Sequence, residues 1–153
     1  MQRNIKSLIS DKYIICSCEG AAERAIIDLL LDSGKLCFTR TDLVDMEITC
    51  IRKAEAIENR FLTRDYGNKG VVILRILDRP TEQFKLKFPY SEACDVCSVC
   101  TMPEIEILFI ISEGQWSKYK KCSRDLSPSS FCNKIFHPDN VKSEAFVKKY
   151  YQD

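Results

Sequence analysis

Tyr13-Ile14-Ile15-Cys16-Ser17-Cys18-Glu19-Gly20-Ala21-Ala22-Glu23 is the stretch whose reading decides the fold. Its first six residues are a short, mostly apolar run, the pattern of a buried strand. Glu19-Gly20 ends the run. From Ala21 to Leu31, apolar residues recur at Ala22, Ala25, Ile26, Leu29 and Leu30, which is helical spacing, and Ser33-Gly34 supplies a stop. The unit is strand, tight turn, helix. Val71-Val72-Ile73-Leu74-Arg75-Ile76-Leu77 is the plainest strand in the chain, and it also runs into an acid, at Asp78-Arg79-Pro80, where the proline stops it. Strands alternating with helices predict an α/β fold with a mostly parallel central sheet and helices on both faces.

The remaining segments read less sharply. Leu36 to Thr41 and Glu47 to Ile51 could each be a strand or a strand-like loop. Arg52 to Thr63 reads as an exposed helix with Ala54, Ile57 and Phe61 inward, and Tyr66 to Gly70 as a turn. Phe84 to Phe88 alternates and suggests a short edge strand. Glu104 to Ile111 is apolar and could be helix or strand. Ser127-Pro128 opens a helix, with proline tolerated in its first turn, and Ser143 to Tyr150 reads as a last one. With no repeat, no low-complexity tract and no linker, residues 1–153 read as one domain.

Composition sets the class. Apolar residues make up 45% and charged residues 29%, the balance of a soluble globular chain, and a net charge of +1 provides no global field toward nucleic acid or membrane. Met1 to Asp11 is polar and does not resemble a signal peptide. The longest apolar stretch, Ile105 to Ile111, is far short of the roughly 18 residues of a membrane span. Nine cysteines without a secretory signal are expected to be reduced thiols, which places the protein in the cytoplasm.

In parallel sheets, functional groups collect at the carboxyl ends of strands, which singles out Glu19 and Asp78. Neighbouring strands are about 4.8 Å apart, so the two carboxyls are expected within about 10 Å of each other. Glu23 follows one helical turn after Glu19, and Glu106 should approach the same cleft. Clustered carboxylates suit a hard divalent cation such as Mg²⁺. The structural alternative is that Glu19 and Glu23 only complement a helix N-terminus and that Asp78 only caps a turn.

Two other clusters stand out. Cys94-Asp95-Val96-Cys97-Ser98-Val99-Cys100 has the Cys-x2-Cys-x2-Cys spacing of zinc and iron–sulfur ligands, with Cys122, Cys132 or His137 as a distant fourth ligand. The plainer expectation is unmetallated thiols packed near the core. Trp116 with Lys118, Tyr119, Lys120, Lys121 and Arg124 is a basic, aromatic cluster, either a nucleic-acid contact or a solvated helix face.

Ile15-Cys16-Ser17-Cys18-Glu19-Gly20-Ala21-Ala22-Glu23, then Ile73 to Arg79, then Met102-Pro103-Glu104-Ile105-Glu106-Ile107-Leu108 together resemble the TOPRIM domain of topoisomerases, primases and OLD-type nucleases, in particular its small RloB-like branch. The resemblance covers roughly Tyr13 to Ser112. It implies a nuclease-like activity on phosphodiesters, with Glu19 as general acid or base or as a metal ligand. It implies that Glu19, Glu23, Asp78, Glu82 and Glu106 hold Mg²⁺, or Mn²⁺ in its place. It also suggests a setting in phage defence or mobile elements. The chain departs from the family's Asp-x-Asp at Pro80, which offers no ligand; Glu82, two residues on, is the candidate replacement. Two functions follow as expectations. One is a metal-dependent nuclease that contacts nucleic acid through Lys118, Lys120, Lys121 and Arg124. The other is a TOPRIM-like module without metal chemistry, serving as a binding or regulatory subunit with a protein partner or a second copy.

Overall fold

The computed structural model describes residues 5–80, 83–102, 104–137 and 139–152. A short helix α1, Ile5–Ile9, leads into β1, Tyr13–Cys18, and then α2, Ala21–Asp32. β2, Leu43–Thr49, follows a 3₁₀ turn at Arg40–Asp42, closed by a capping box between Thr39 and Asp42. Next come α3, Ala54–Ile57, which continues as a π-helical turn over Glu58–Leu62, and β3, Val71–Leu77. α4, Tyr90–Ala93, runs directly into β4, Cys94–Cys100. The chain ends in four helices: α5, Ile107–Ser112; α6, Trp116–Cys122; α7, Pro128–Phe136; and α8, Glu144–Gln152.

The strands form one parallel sheet in the order β2-β1-β3-β4. β1 and β3 occupy the centre and are almost continuously apolar, because a central strand with both faces covered has no solvent side to fill; Ser17 and Arg75 are their buried polar exceptions. Side chains of alternate residues point to opposite faces. Ile14, Cys16 and Cys18 of β1 join Val72, Leu74 and Ile76 of β3 beneath α1 and α2. Ile15 and Ile73 pack on the other face with Ile57, Phe61 and Leu62 from α3 and its π-helical extension. A third cluster joins the outer side of α2 to the C-terminal helices through Phe109, Phe131, Val141 and Val147. Phe109 is fully buried and meets Phe136, Phe146 and Tyr150 edge to face.

Several sequence expectations change. Phe84 to Phe88 is not a strand: the backbone N–H of Lys87 donates to the buried carboxylate of Glu58 at 2.6 Å, while Leu86 and the half-buried Phe84 turn inward. The edge strand is instead the thiol-rich segment Cys94 to Cys100, paired residue for residue with Val71 to Leu77. The helix expected from Arg52 starts at Ala54, leaving Arg52 in the connection, and Glu58 is buried rather than exposed. Glu104 to Ile111 resolves as a helix from Ile107. Among the described residues no helix is long and apolar enough to cross a membrane.

Ile73 is fully buried at the middle of the sheet. Ile73→Ala should lower unfolding stability by about 2–5 kcal/mol in urea denaturation. Ile111→Ala, at a residue 54% exposed, should change it by no more than about 0.5 kcal/mol.

Candidate acidic active site

The site is built from the ends of β1 and β3. Because these strands are neighbours in register from Tyr13–Val71 to Cys18–Ile76, Glu19 and Asp78 emerge side by side. The ladder extends past the strands, with the Glu19 N–H donating to the Ile76 carbonyl at 2.9 Å. The Asp78 backbone N–H then donates to Glu19 Oε2 at 2.9 Å, and Arg52 approaches Glu19 Oε1 at 2.8 Å. Both carboxylate oxygens of Glu19 are therefore engaged. Arg52 reaches it because Ser17, buried on β1, donates through Oγ to the Ile51 carbonyl at 2.6 Å and so fixes the connection after β2.

Gly20 is the turn between Glu19 and α2. Its backbone is extended, so no left-handed conformation demands glycine there. A Cβ there would stand 2.8 Å from Glu23 Oε2, so it would move the Glu23 carboxylate, which folds back over the turn, rather than the backbone. Desolvation raises the pKa of Glu23, and the negative charges of Glu106, Asp78 and Glu19 push it further in the same direction.

The third acidic segment closes the site. Glu106 is 4% exposed, and Lys142 Nζ lies 3.5 Å from its Oε1. Glu104 accepts the Ser129 N–H at 3.0 Å and so satisfies the first turn of α7. Glu19, Glu23, Asp78, Glu104, Glu106 and Lys142 line one cavity of about 130 Å³. Lys142 is held there because Val141 beside it is fully buried in the C-terminal core. Glu82 lies outside the described residues, as does Pro103 of the third motif. Pro80 is exposed.

The donor set fits a hard cation in kind. Every candidate ligand is a carboxylate oxygen, and Asp78 Oδ1 is buried with no hydrogen-bond partner among the described residues. A buried acceptor without a donor is costly, and a cation would relieve that cost. The acids do not form a ready-made cage: among the described residues no three His, Cys, Asp or Glu side chains stand grouped to hold a metal ion. Arg52 and Lys142 balance part of the charge instead.

The other two clusters stand apart from this cavity. Lys118, Lys120, Lys121 and Arg124 are exposed on and just after α6, and none of them lines it. Tyr119 of the same helix is core, packed edge to face on Phe131, while Lys120 lies 5.7 Å from the centre of the Trp116 ring. Cys94, Cys97 and Cys100 cannot share a metal within one chain. A spacing of three on a strand of period two puts Cys97 on the opposite face from the others: Cys94 packs with the cluster beneath α3, Cys97 with that beneath α1 and α2. Burial raises the pKa of both thiols, which keeps them protonated.

Arg52, Lys142 and Glu104 were not singled out from sequence. Pro103-Glu104 gave some signal for Glu104. Arg52 and Lys142 reach the site from connections, and nothing local to them in sequence marks it.

The raised pKa of Glu23 has a signed consequence. A carboxyl that binds its proton more tightly when folded penalises the fold once ionised, so the penalty is present at neutral pH and vanishes below the ordinary value of 4.5. Glu23→Gln should therefore melt higher than wild type at pH 7. The gap should close as pH falls through the folded-state pKa toward 4.5 and below, as followed by thermal melts across pH. Compared with known proteins, the chain matches no family model, no curated protein and no solved structure.

Proposed function

We propose that this chain is a TOPRIM-like, Mg²⁺-dependent nuclease of the small RloB-like or OLD-type branch, acting on nucleic-acid phosphodiesters in phage defence or mobile-element biology, with Mn²⁺ able to replace Mg²⁺. The observation that carries this reading is the convergence of three sequence-distant acidic segments on one cavity, with Asp78 Oδ1 buried and unpartnered among them.

A bound divalent ion would neutralise charge on the phosphate and lower the pKa of a bound water. Asp78 and Glu106 would hold it, and a cation would offset the repulsion that Glu23 feels from its neighbours and let it join them. Glu19 is the residue placed to exchange a proton, since its two oxygens are oriented by the Asp78 N–H and by Arg52. Arg52 and Lys142 supply the positive charge that a phosphate needs, Arg52 as a planar fork and Lys142 as a compact point charge. Lys118, Lys120, Lys121 and Arg124 would follow the nucleic-acid backbone at a distance from the cavity, with the exposed Trp116 available for stacking.

The second reading is a TOPRIM-like binding or regulatory subunit without metal chemistry. It is favoured by Pro80 in the second Asp position and by the partial neutralisation of the acids by Arg52 and Lys142. The two readings separate in a cleavage assay on single- and double-stranded DNA and RNA with Mg²⁺ or Mn²⁺, alongside calorimetric titration of Mn²⁺. The nuclease reading expects metal-dependent cleavage that falls by about 10²-fold or more in Glu19→Gln, the scale of a lost general acid or base. Equal cleavage by both proteins, or no cleavage together with no heat of Mn²⁺ binding, would overturn it.

A further inference from the structure

The two edges of the sheet differ. β2 slips in register against β1 between Ile14 and Cys16, with Asp45 and Met46 at φ 56° and 55°. Asp45 and Glu47 are exposed charges on it. Bulges and charges are devices that keep an edge from recruiting another strand. β4 carries no such bulge. Its seven residues run in unbroken register against β3, and they include no proline, lysine or arginine. Its one charged residue, Asp95, is held by Lys12 at 2.6 Å. Among the described residues nothing pairs with its outer side. Such an edge presents a row of backbone N–H and C=O groups ready for a further strand.

The sequence of β4 indicates which strand that is. Its thiols are placed symmetrically about Cys97, with Cys94 and Cys100 three residues to either side. In an antiparallel pair centred there, Cys97 faces its own copy, Cys94 faces Cys100, Val96 faces Ser98, and Asp95 faces Val99. No charge meets its like. Beyond the strand, exposed apolar groups lie where the same pairing would cover them. Phe88 and Val96, 76% and 40% exposed, line one groove beside the edge together with Ser91 and Cys94. Met102, 70% exposed, lies just beyond the end of the strand.

We propose that two copies of the chain associate through β4, antiparallel and centred on Cys97, so that their four-stranded sheets join into one continuous sheet across a two-fold axis. The pairing is isologous, each copy offering the same surface to the other. It explains why this edge is left flat and apolar while the opposite one is blunted. It also gives the Cys-x2-Cys-x2-Cys spacing a role: the thiols line a seam between copies, with facing Cβ atoms about 4.5–5.5 Å apart.

Sedimentation equilibrium of the full chain in reductant tests the association, and two designed double variants test the register. Wild type should sediment at twice the chain mass of 17.7 kDa in the micromolar range. Val96→Lys with Ser98→Lys sets lysine against lysine at two symmetric places and should give a monomer with an unchanged circular-dichroism spectrum. Val96→Lys with Ser98→Glu sets opposite charges against each other in this register alone and should restore the dimer. Brief treatment with dibromobimane, which bridges closely spaced thiols, should link Cys97 to Cys97 and Cys94 to Cys100 in peptide maps. A wild-type monomer throughout the micromolar range, a lysine pair that leaves the dimer intact, or cross-links from Cys94 to Cys94 would each overturn the proposal.

Discussion

The hydrogen bond from the Asp78 backbone N–H to Glu19 Oε2, at 2.9 Å, ties the ends of the two central strands together. It can form only because β1 and β3 are parallel neighbours in aligned register, so that each delivers its terminal acid to the same edge of the sheet. Everything else at the site is arranged around that pair. Gly20 lets the Glu23 carboxylate fold back toward it. The link fixed by Ser17 brings Arg52 to the outer oxygen of Glu19. The C-terminal helices close the cavity with Glu106 and Lys142.

The packing explains how so many acids are tolerated together. Like charges gathered in a partly desolvated pocket oppose folding, and the raised pKa of Glu23 is the visible sign of that opposition. The structure offsets it through the Asp78 N–H, Arg52 and Lys142, and it leaves Asp78 Oδ1 without any donor among the described residues. The cost falls on the site, while the three apolar clusters around the sheet and the C-terminal helices supply the stability. On the proposed function, such a pocket would take a cation, with the two basic side chains beside it available to an anion. A phosphodiester with a divalent ion is the pair we propose for it.

How much of this was legible in the sequence depended on whether the signal was local. β1 and β3 read correctly because a central strand covered on both faces is almost continuously apolar. α2 read correctly from its periodicity and the start of α7 from Ser127 followed by Pro128; the structure shows the Ser127 hydroxyl accepting the Ser130 N–H. β2 was blurred because its bulge interrupts the alternation between Val44 and Ile48. β4 read as a thiol motif because Cys and Ser are at home both in strands and in metal loops; only the paired ladder shows that the three thiols alternate faces. Phe84 to Phe88 alternated without becoming a strand because the Lys87 N–H is bound to Glu58, a contact between segments that no local pattern records. Arg52 and Lys142 escaped for the same reason: each sits in an ordinary polar connection and gains meaning only from the carboxylate it meets.

The central claim is that the cavity between Glu19, Asp78 and Glu106 holds a divalent cation. A crystal structure of the chain grown with Mn²⁺, with data collected at a wavelength where manganese scatters anomalously, tests it most directly. The account predicts an anomalous peak in that cavity within coordinating distance of Asp78 Oδ1, the oxygen that lacks a donor among the described residues. An ordered site with Asp78, Glu23 and Glu106 clearly resolved and no peak among them, or manganese bound only at surface carboxylates such as Asp28 and Asp32, would contradict it.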